Sequence, residues 1–129
     1  MKSIIIYATK YGCTEKAAKI LKTQLDGQVL MANICKEKVP SLGEYDTVIL
    51  GGSIYMGKIQ KELADYAAEN LTELLKKRTG LFVCAGSPEP SARVKELEAS
   101  FPSELYSHAV CREVFGYEIS YEKLAFFDK

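Results

Sequence analysis

Lys2-Ser3-Ile4-Ile5-Ile6-Tyr7-Ala8-Thr9-Lys10-Tyr11-Gly12-Cys13-Thr14 is the stretch on which the fold turns. Its first half, Lys2–Tyr7, is a short β-branched run that reads as a buried strand. From residue 14 to 25, Ala17, Ala18, Leu21 and Leu25 recur at helical spacing. A strand that passes directly into a helix is the opening unit of an alternating α/β chain. The loop between them, residues 8–14, offers hydroxyls at Thr9, Tyr11 and Thr14, a thiol at Cys13 and a tight turn at Gly12. The helix that follows adds unpaired N–H groups and partial positive charge, which together make a phosphate cradle. Thr14 also suits the N-cap. The plain alternative is a βα turn with an N-cap and nothing bound.

The alternation continues outward from this unit. Asp26-Gly27 stops the first helix, and Gln28–Asn33 reads as a second strand. Residues 39–46 contain Pro40 and Gly43 and read as loop with room for one helical turn. Residues 47–50 form a third strand, ended by Gly51-Gly52. Ile59, Leu63, Ala67, Leu71, Leu74 and Leu75 mark one long helix ending near Arg78 and Gly80. Residues 81–84 are a fourth strand, 91–101 a helix with Val94, Leu97 and Phe101 on one face, and 109–115 a fifth strand. His108 falls in the loop before that strand, at the surface. This order predicts a doubly wound, five-stranded parallel sheet with helices on both faces. Ligands in such sheets bind outside the carboxyl ends of the strands, at the switch point. Residues 8–14, 51–58 and 85–90 are therefore the segments expected to carry function.

Composition narrows the classes. The chain has 129 residues and is read as one domain over 1–129. Lys plus Arg is 17 and Asp plus Glu is 17, a formal net charge of zero, where a nucleic-acid binder carries a basic excess. The single histidine cannot build a multi-histidine metal site. Cys13, Cys35, Cys84 and Cys111 form no C-x-x-C pair, so neither a zinc ribbon nor a thioredoxin motif is spelled. Cys84 and Cys111 lie in apolar runs and read as small buried hydrophobes. The N-terminus lacks the apolar run and cleavage site of a signal peptide. No stretch approaches the ~20 apolar residues of a membrane span. The expected location is the cytoplasm.

Three phosphate cradles fail on their residues. A dinucleotide fingerprint needs G-x-G-x-x-G and an acidic residue near the end of the second strand, which here is Ala32-Asn33. G-x-x-x-x-G-K-[ST] is absent, and no Arg follows Cys13 within the loop as a low-molecular-weight phosphatase would need. Thr9-x-x-Gly12-x-Thr14 after an Ile-rich strand instead resembles the phosphate loop of the flavodoxin superfamily, with Tyr11 where Thr is usual. That substitution costs one compact hydroxyl and leaves the backbone donors untouched.

The other two loops extend the resemblance. Gly51-Gly52 leaves room for a flat ring to approach the backbone, and Ile54, Tyr55 and Met56 offer apolar surface for stacking. The alternative is that these side chains plug the sheet edge. Ser53-Ile54-x-x-Gly57 resembles the ring-side loop of the quinone-dependent protoporphyrinogen oxidases, and Gly57 would tolerate a peptide flip. Ala85-Gly86-Ser87-Pro88-Glu89-Pro90 is the segment with which flavodoxins close the other side of the ring, or else a turn capped by Ser91. Phe115-Gly116-Tyr117-Glu118-Ile119 resembles a Phe-Gly-Gly-Glu-Ile type segment of the oxidase family.

The resemblance implies a flavodoxin-like sheet of order 2-1-3-4-5 and an FMN cofactor. Its phosphate would be held by Thr9, Gly12, Cys13 and Thr14, with Lys10 and Tyr11 in the same cofactor-binding loop. Its ring would lie between Ser53, Ile54, Tyr55, Met56 and Gly57 on one side and Ala85, Gly86, Ser87 and Glu89 on the other. It implies electron transfer with a redox partner protein, or a protoporphyrinogen oxidase-like enzyme passing electrons to a quinone. The zero net charge is unlike the acidic electron carriers. A phosphorelay receiver shares the fold but needs acidic residues where Ala8-Thr9 and Gly51-Gly52 stand. A flavin-free interaction module is the remaining reading. The family also implies a closing helix after the fifth strand. Only residues 121–129 are left for it, so a short or missing helix, a partly bare sheet face and a homodimer across that face are expected.

Overall fold

The computed structural model describes residues 2–9, 13–25, 27–54, 59–84 and 90–115. Ile4, Ile5 and Ile6 are each 0% exposed, so β1 (Lys2–Tyr7) is covered on both faces, as a central strand of a parallel sheet must be. It pairs in parallel with β2 (Gln28–Asn33), Ile4 opposite Leu30, and with β3 (Thr47–Ser53), Ile4 opposite Val48. β4 (Arg78–Cys84) pairs with β3, and β5 (Cys111–Phe115) pairs with β4, also in parallel. The order is β2-β1-β3-β4-β5, the predicted one. The reversal between β1 and β3 is the switch point.

Period-two alternation sends successive strand residues to two cores. On one face Ile4, Ile6, Val48, Leu50, Leu81 and Val83 pack against α2 (Lys61–Glu69), α3 (Leu71–Leu74), α4 (Pro90–Ser100) and α5 (Ser103–His108). On the other, Ile5, Tyr7, Ile49, Phe82 and Cys84 meet Ala17, Ala18 and Leu21 of α1 (Cys13–Gln24). In the turn between α1 and β2, Gly27 has a φ of 79°, the left-handed conformation that glycine adopts without strain. Cys84 and Cys111 are buried, as their apolar surroundings predict.

The structure differs from the sequence reading at five places. β3 does not end at Gly51-Gly52 but runs through both to Ser53. A Cβ on Gly51 would lie 2.0 Å from Phe82 Cζ, and one on Gly52 would lie 2.6 Å from Ile59 Cδ1. These glycines make room for the protein's own side chains. The single long helix is two, joined at Asn70, whose backbone and side-chain N–H groups both donate to the Tyr66 carbonyl at 3.0 Å. β4 starts at Arg78 rather than residue 81, because Gly80 pairs with both Ile49 and Cys111 inside the sheet. His108 lies in α5 rather than a loop, with Nε2 2.7 Å from the Lys77 carbonyl. Helix α1 starts at Cys13, which places Thr14 inside the first turn rather than at the N-cap.

Residues 116–129, where the closing helix is expected, lie outside the described residues. Phe82, Cys84 and Cys111, on the same side of the sheet as α1, are buried. Among the described residues, the large apolar side chains that stand exposed are Leu30 (47%) on the β2 edge and Val110 (55%). No helix among the described residues is long and apolar enough to cross a membrane.

Candidate functional site

At the carboxyl end of the sheet the strands hand over to loops that are tied to one another. The Ala8 N–H donates to the Gly51 carbonyl at 3.0 Å, which carries the β1–β3 ladder one residue past β1. The Ile54 N–H donates to the Cys84 carbonyl at 2.9 Å, joining the exits of β3 and β4. The Thr14 and Ser53 hydroxyls meet at 2.5 Å, both buried and 39 residues apart in sequence. The first turn of α1 is thereby fastened to the end of β3. The Ser53 N–H is also taken, by Gln60 Oε1 at 3.0 Å. The exits of β1, β3 and β4 and the starts of α1 and α2 are thus linked by hydrogen bonds.

Among the predicted residues, Thr9, Cys13, Thr14, Ser53 and Ile54 stand at this end of the sheet. Lys10, Tyr11, Gly12, Tyr55, Met56, Gly57, Ala85, Gly86, Ser87 and Glu89 lie outside the described residues. Two of the five differ in orientation from expectation. Ile54 is 7% exposed and belongs to the core with Leu63, so its side chain plugs the sheet rather than presenting apolar surface. Thr14 sets its hydroxyl against Ser53 instead of capping the helix, and a helix start leaves its first backbone N–H groups without intrahelical partners.

Two groups at this end are held protonated by burial first and by acidic neighbours second. Tyr7 is pushed up from the usual tyrosine range by burial first, then by Glu15 and Glu37. Cys35, just beyond β2, has its thiol pushed up by burial and by the Glu62 carboxylate, which also hydrogen-bonds it; a backbone hydrogen bond from Thr9 opposes this. The thiol is therefore held protonated beside the phosphate-loop segment. Gln60 and Cys35 are the residues that the sequence reading missed. Only Gln60 carried a signal, as a weak capping residue at the start of a helix. Among the described residues, no group of His, Cys, Asp and Glu is placed to hold a metal ion.

Comparison with known proteins adds the following. The family model described as "Flavodoxin domain" matches residues 4–129. No curated protein matches the chain. A flavodoxin from Streptococcus pneumoniae TIGR4 superposes with a TM-score of 0.75 at 17% identity, covering 99% of this chain and 95% of that one. Oxidised flavodoxin 1 from Bacillus cereus gives 0.71 at 17% identity, with coverages of 99% and 95%. The Flv1 flavodiiron core from Synechocystis sp. PCC6803 gives 0.72 at 15% identity, and the chain spans 99% of itself but 33% of that protein. At these identities the likeness is one of fold.

Proposed function

The chain belongs to the flavodoxin domain family, and from that premise we propose that it is a cytoplasmic FMN-binding redox protein that passes electrons to a partner protein. The observation that carries this reading is the Thr14–Ser53 contact, which fastens the phosphate-loop helix to the exit of β3 at the switch point. When bound, the flavin supplies the electron transfer itself. The chain's own residues bind and orient it. Backbone N–H groups at the start of α1 would take the phosphate together with Thr9, Lys10, Tyr11, Gly12 and Cys13, and the segments after Ser53 and Cys84 would flank the ring. No side-chain acid or base is required.

Charge is uneven between the two helices. Lys16, Lys19 and Lys22 stand exposed on α1 against one acid, Glu15, whereas Glu62, Asp65 and Glu69 stand exposed on α2, across the sheet, against one base, Lys61. The three lysines have no ion-pair partner among the described residues. This supports a partner that presents acidic groups to α1.

A finer reading, oxidation of a reduced tetrapyrrole with electrons passed to a quinone, rests on Ser53-Ile54-x-x-Gly57 and the segment after Phe115 alone. The burial of Ile54 gives that motif a packing role and weakens this reading. The decisive experiment is direct. Purified protein is expected to be yellow, to release FMN on denaturation and to rebind it one to one as apoprotein. A colourless protein that ignores added FMN would overturn the reading in favour of an interaction module.

A further inference from the structure

Gln60 occupies the N-cap position of α2, with φ −57° and ψ 134°, and makes no side-chain capping bond to its own helix. Its carbonyl accepts from the Leu63 and Ala64 N–H groups at 3.2 and 3.1 Å, so the helix starts on backbone bonds alone. Ser, Thr, Asp and Asn are the residues that serve this position well. The Gln60 side chain instead reaches seven residues back, where its Oε1 accepts the Ser53 N–H at 3.0 Å. A local rule is broken where the chain leaves the switch point, which is where functional constraint is expected to override local preference.

The contact matters because of what else Ser53 does. Its hydroxyl meets Thr14, and the next N–H, that of Ile54, meets the Cys84 carbonyl. Gln60 brings the far end of the 54–59 connection to the same residue. Both ends of that connection are then fixed before any ligand arrives, and ordering done in advance is not charged against binding. The glutamine is also neutral. A carboxylate in its place keeps an acceptor for Ser53 while adding a negative charge beside the switch point.

We propose that Gln60 is a positioning residue for the flavin, fixing the Ser53 amide at the exit of β3 at the expense of capping α2. The inference rests on the FMN reading above. Gln60→Asn separates the two roles, since the shorter side chain caps a helix well but falls short of Ser53. Gln60→Glu retains the acceptor.

The test uses the purified full chain with FMN, and apoprotein prepared from it. FMN affinity is measured by fluorescence quenching, Ser53 amide exchange by NMR, stability by thermal unfolding, and the flavin midpoint potential by redox titration. Gln60→Asn is expected to weaken FMN binding about five- to tenfold, the worth of one hydrogen bond. Its Ser53 amide should exchange faster in the apoprotein, and its melting temperature should match or exceed the wild type's. Gln60→Glu should keep Ser53 protected and lower the potential. Unchanged FMN affinity in Gln60→Asn, a Ser53 amide as slow as in wild type, or melting temperature and affinity falling together would each overturn the proposal. A wild type that takes up no FMN overturns the flavin reading and this inference with it. A wild type that binds FMN beside an unaffected Gln60→Asn overturns the inference alone.

Discussion

Replacing Gly51 with alanine separates two explanations of the paired glycines. A methyl group there would lie 2.0 Å from Phe82 Cζ and 2.2 Å from Cε1. Carbon atoms pack at about 3.5–4.0 Å, so the ring would have to retreat by roughly 1.5 Å. Phe82 is fully buried among Ile5, Ile49 and α1, and has nowhere to retreat. Forced overpacking typically costs about 1–3 kcal/mol, and the short approach here places Gly51→Ala at the top of that range or above it. A domain has only about 5–15 kcal/mol in total, so the apoprotein should melt roughly 10 °C lower or more. Thermal and urea unfolding of apoprotein measure this without reference to any cofactor. The double variant Gly51→Ala/Phe82→Leu should be more stable than the sum of the single effects by about 1 kcal/mol or more, because the residues share one space. An apoprotein of Gly51→Ala with wild-type stability and lost FMN binding would refute the packing account. It would restore the idea that the glycine admits a ring.

Three further outcomes follow from particular contacts. Thr14→Val leaves the buried Ser53 hydroxyl without its partner and should cost about 1–3 kcal/mol, and a Thr14→Val/Ser53→Ala double-mutant cycle should give a coupling near 1 kcal/mol in urea unfolding. Burial pushes Tyr66 up to about 12 from the usual 10.0. The folded state then holds this proton more tightly than the unfolded chain. Its contribution to stability is therefore whole below pH 10.0 and lost as the pH rises toward about 12, and Tyr66→Phe should flatten that loss in pH-dependent melting. Cys35 is exposed as a residue, but partial desolvation of its thiol and the facing Glu62 carboxylate both hold it protonated, so it should alkylate with iodoacetamide more slowly than free cysteine at pH ~8. Glu62→Gln should speed it, as followed by mass spectrometry.

The sheet was legible because its signals are local. Ile4-Ile5-Ile6 can be buried on both faces only in a covered strand, and Ala17, Ala18 and Leu21 share a helix face whatever the rest of the chain does. What misled depends on partners distant in sequence. A glycine pair reads equally well as a strand end or as a gap for neighbours, and only Phe82 and Ile59 decide which. The apolar rhythm from Leu63 to Leu74 runs through Asn70 without a break, because both helices lay their apolar side on the same core. The hydroxyl of Thr14 could serve a cap, a phosphate or another side chain, and its choice of Ser53 follows from the β1–β3 register. Ile54 looked like binding surface because the sequence does not show that β3 continues far enough to turn it inward.

The opposed charges of α1 and α2 bear on how the molecule behaves in bulk. With 17 residues of each sign and an isoelectric point near 6.6, the chain has almost no monopole at neutral pH to keep copies apart. What remains is local: among the described residues α1 carries Lys16, Lys19 and Lys22 against Glu15, and α2, across the sheet, carries Glu62, Asp65 and Glu69 against Lys61. Patches of opposite sign on two copies attract, and the attraction fades once the screening length drops below about 10 Å, at ~0.1 M salt. The protein is therefore expected to salt in: turbid or self-associated in dilute buffer, and clear in moderate salt. Association through apolar surface would respond to salt in the opposite sense.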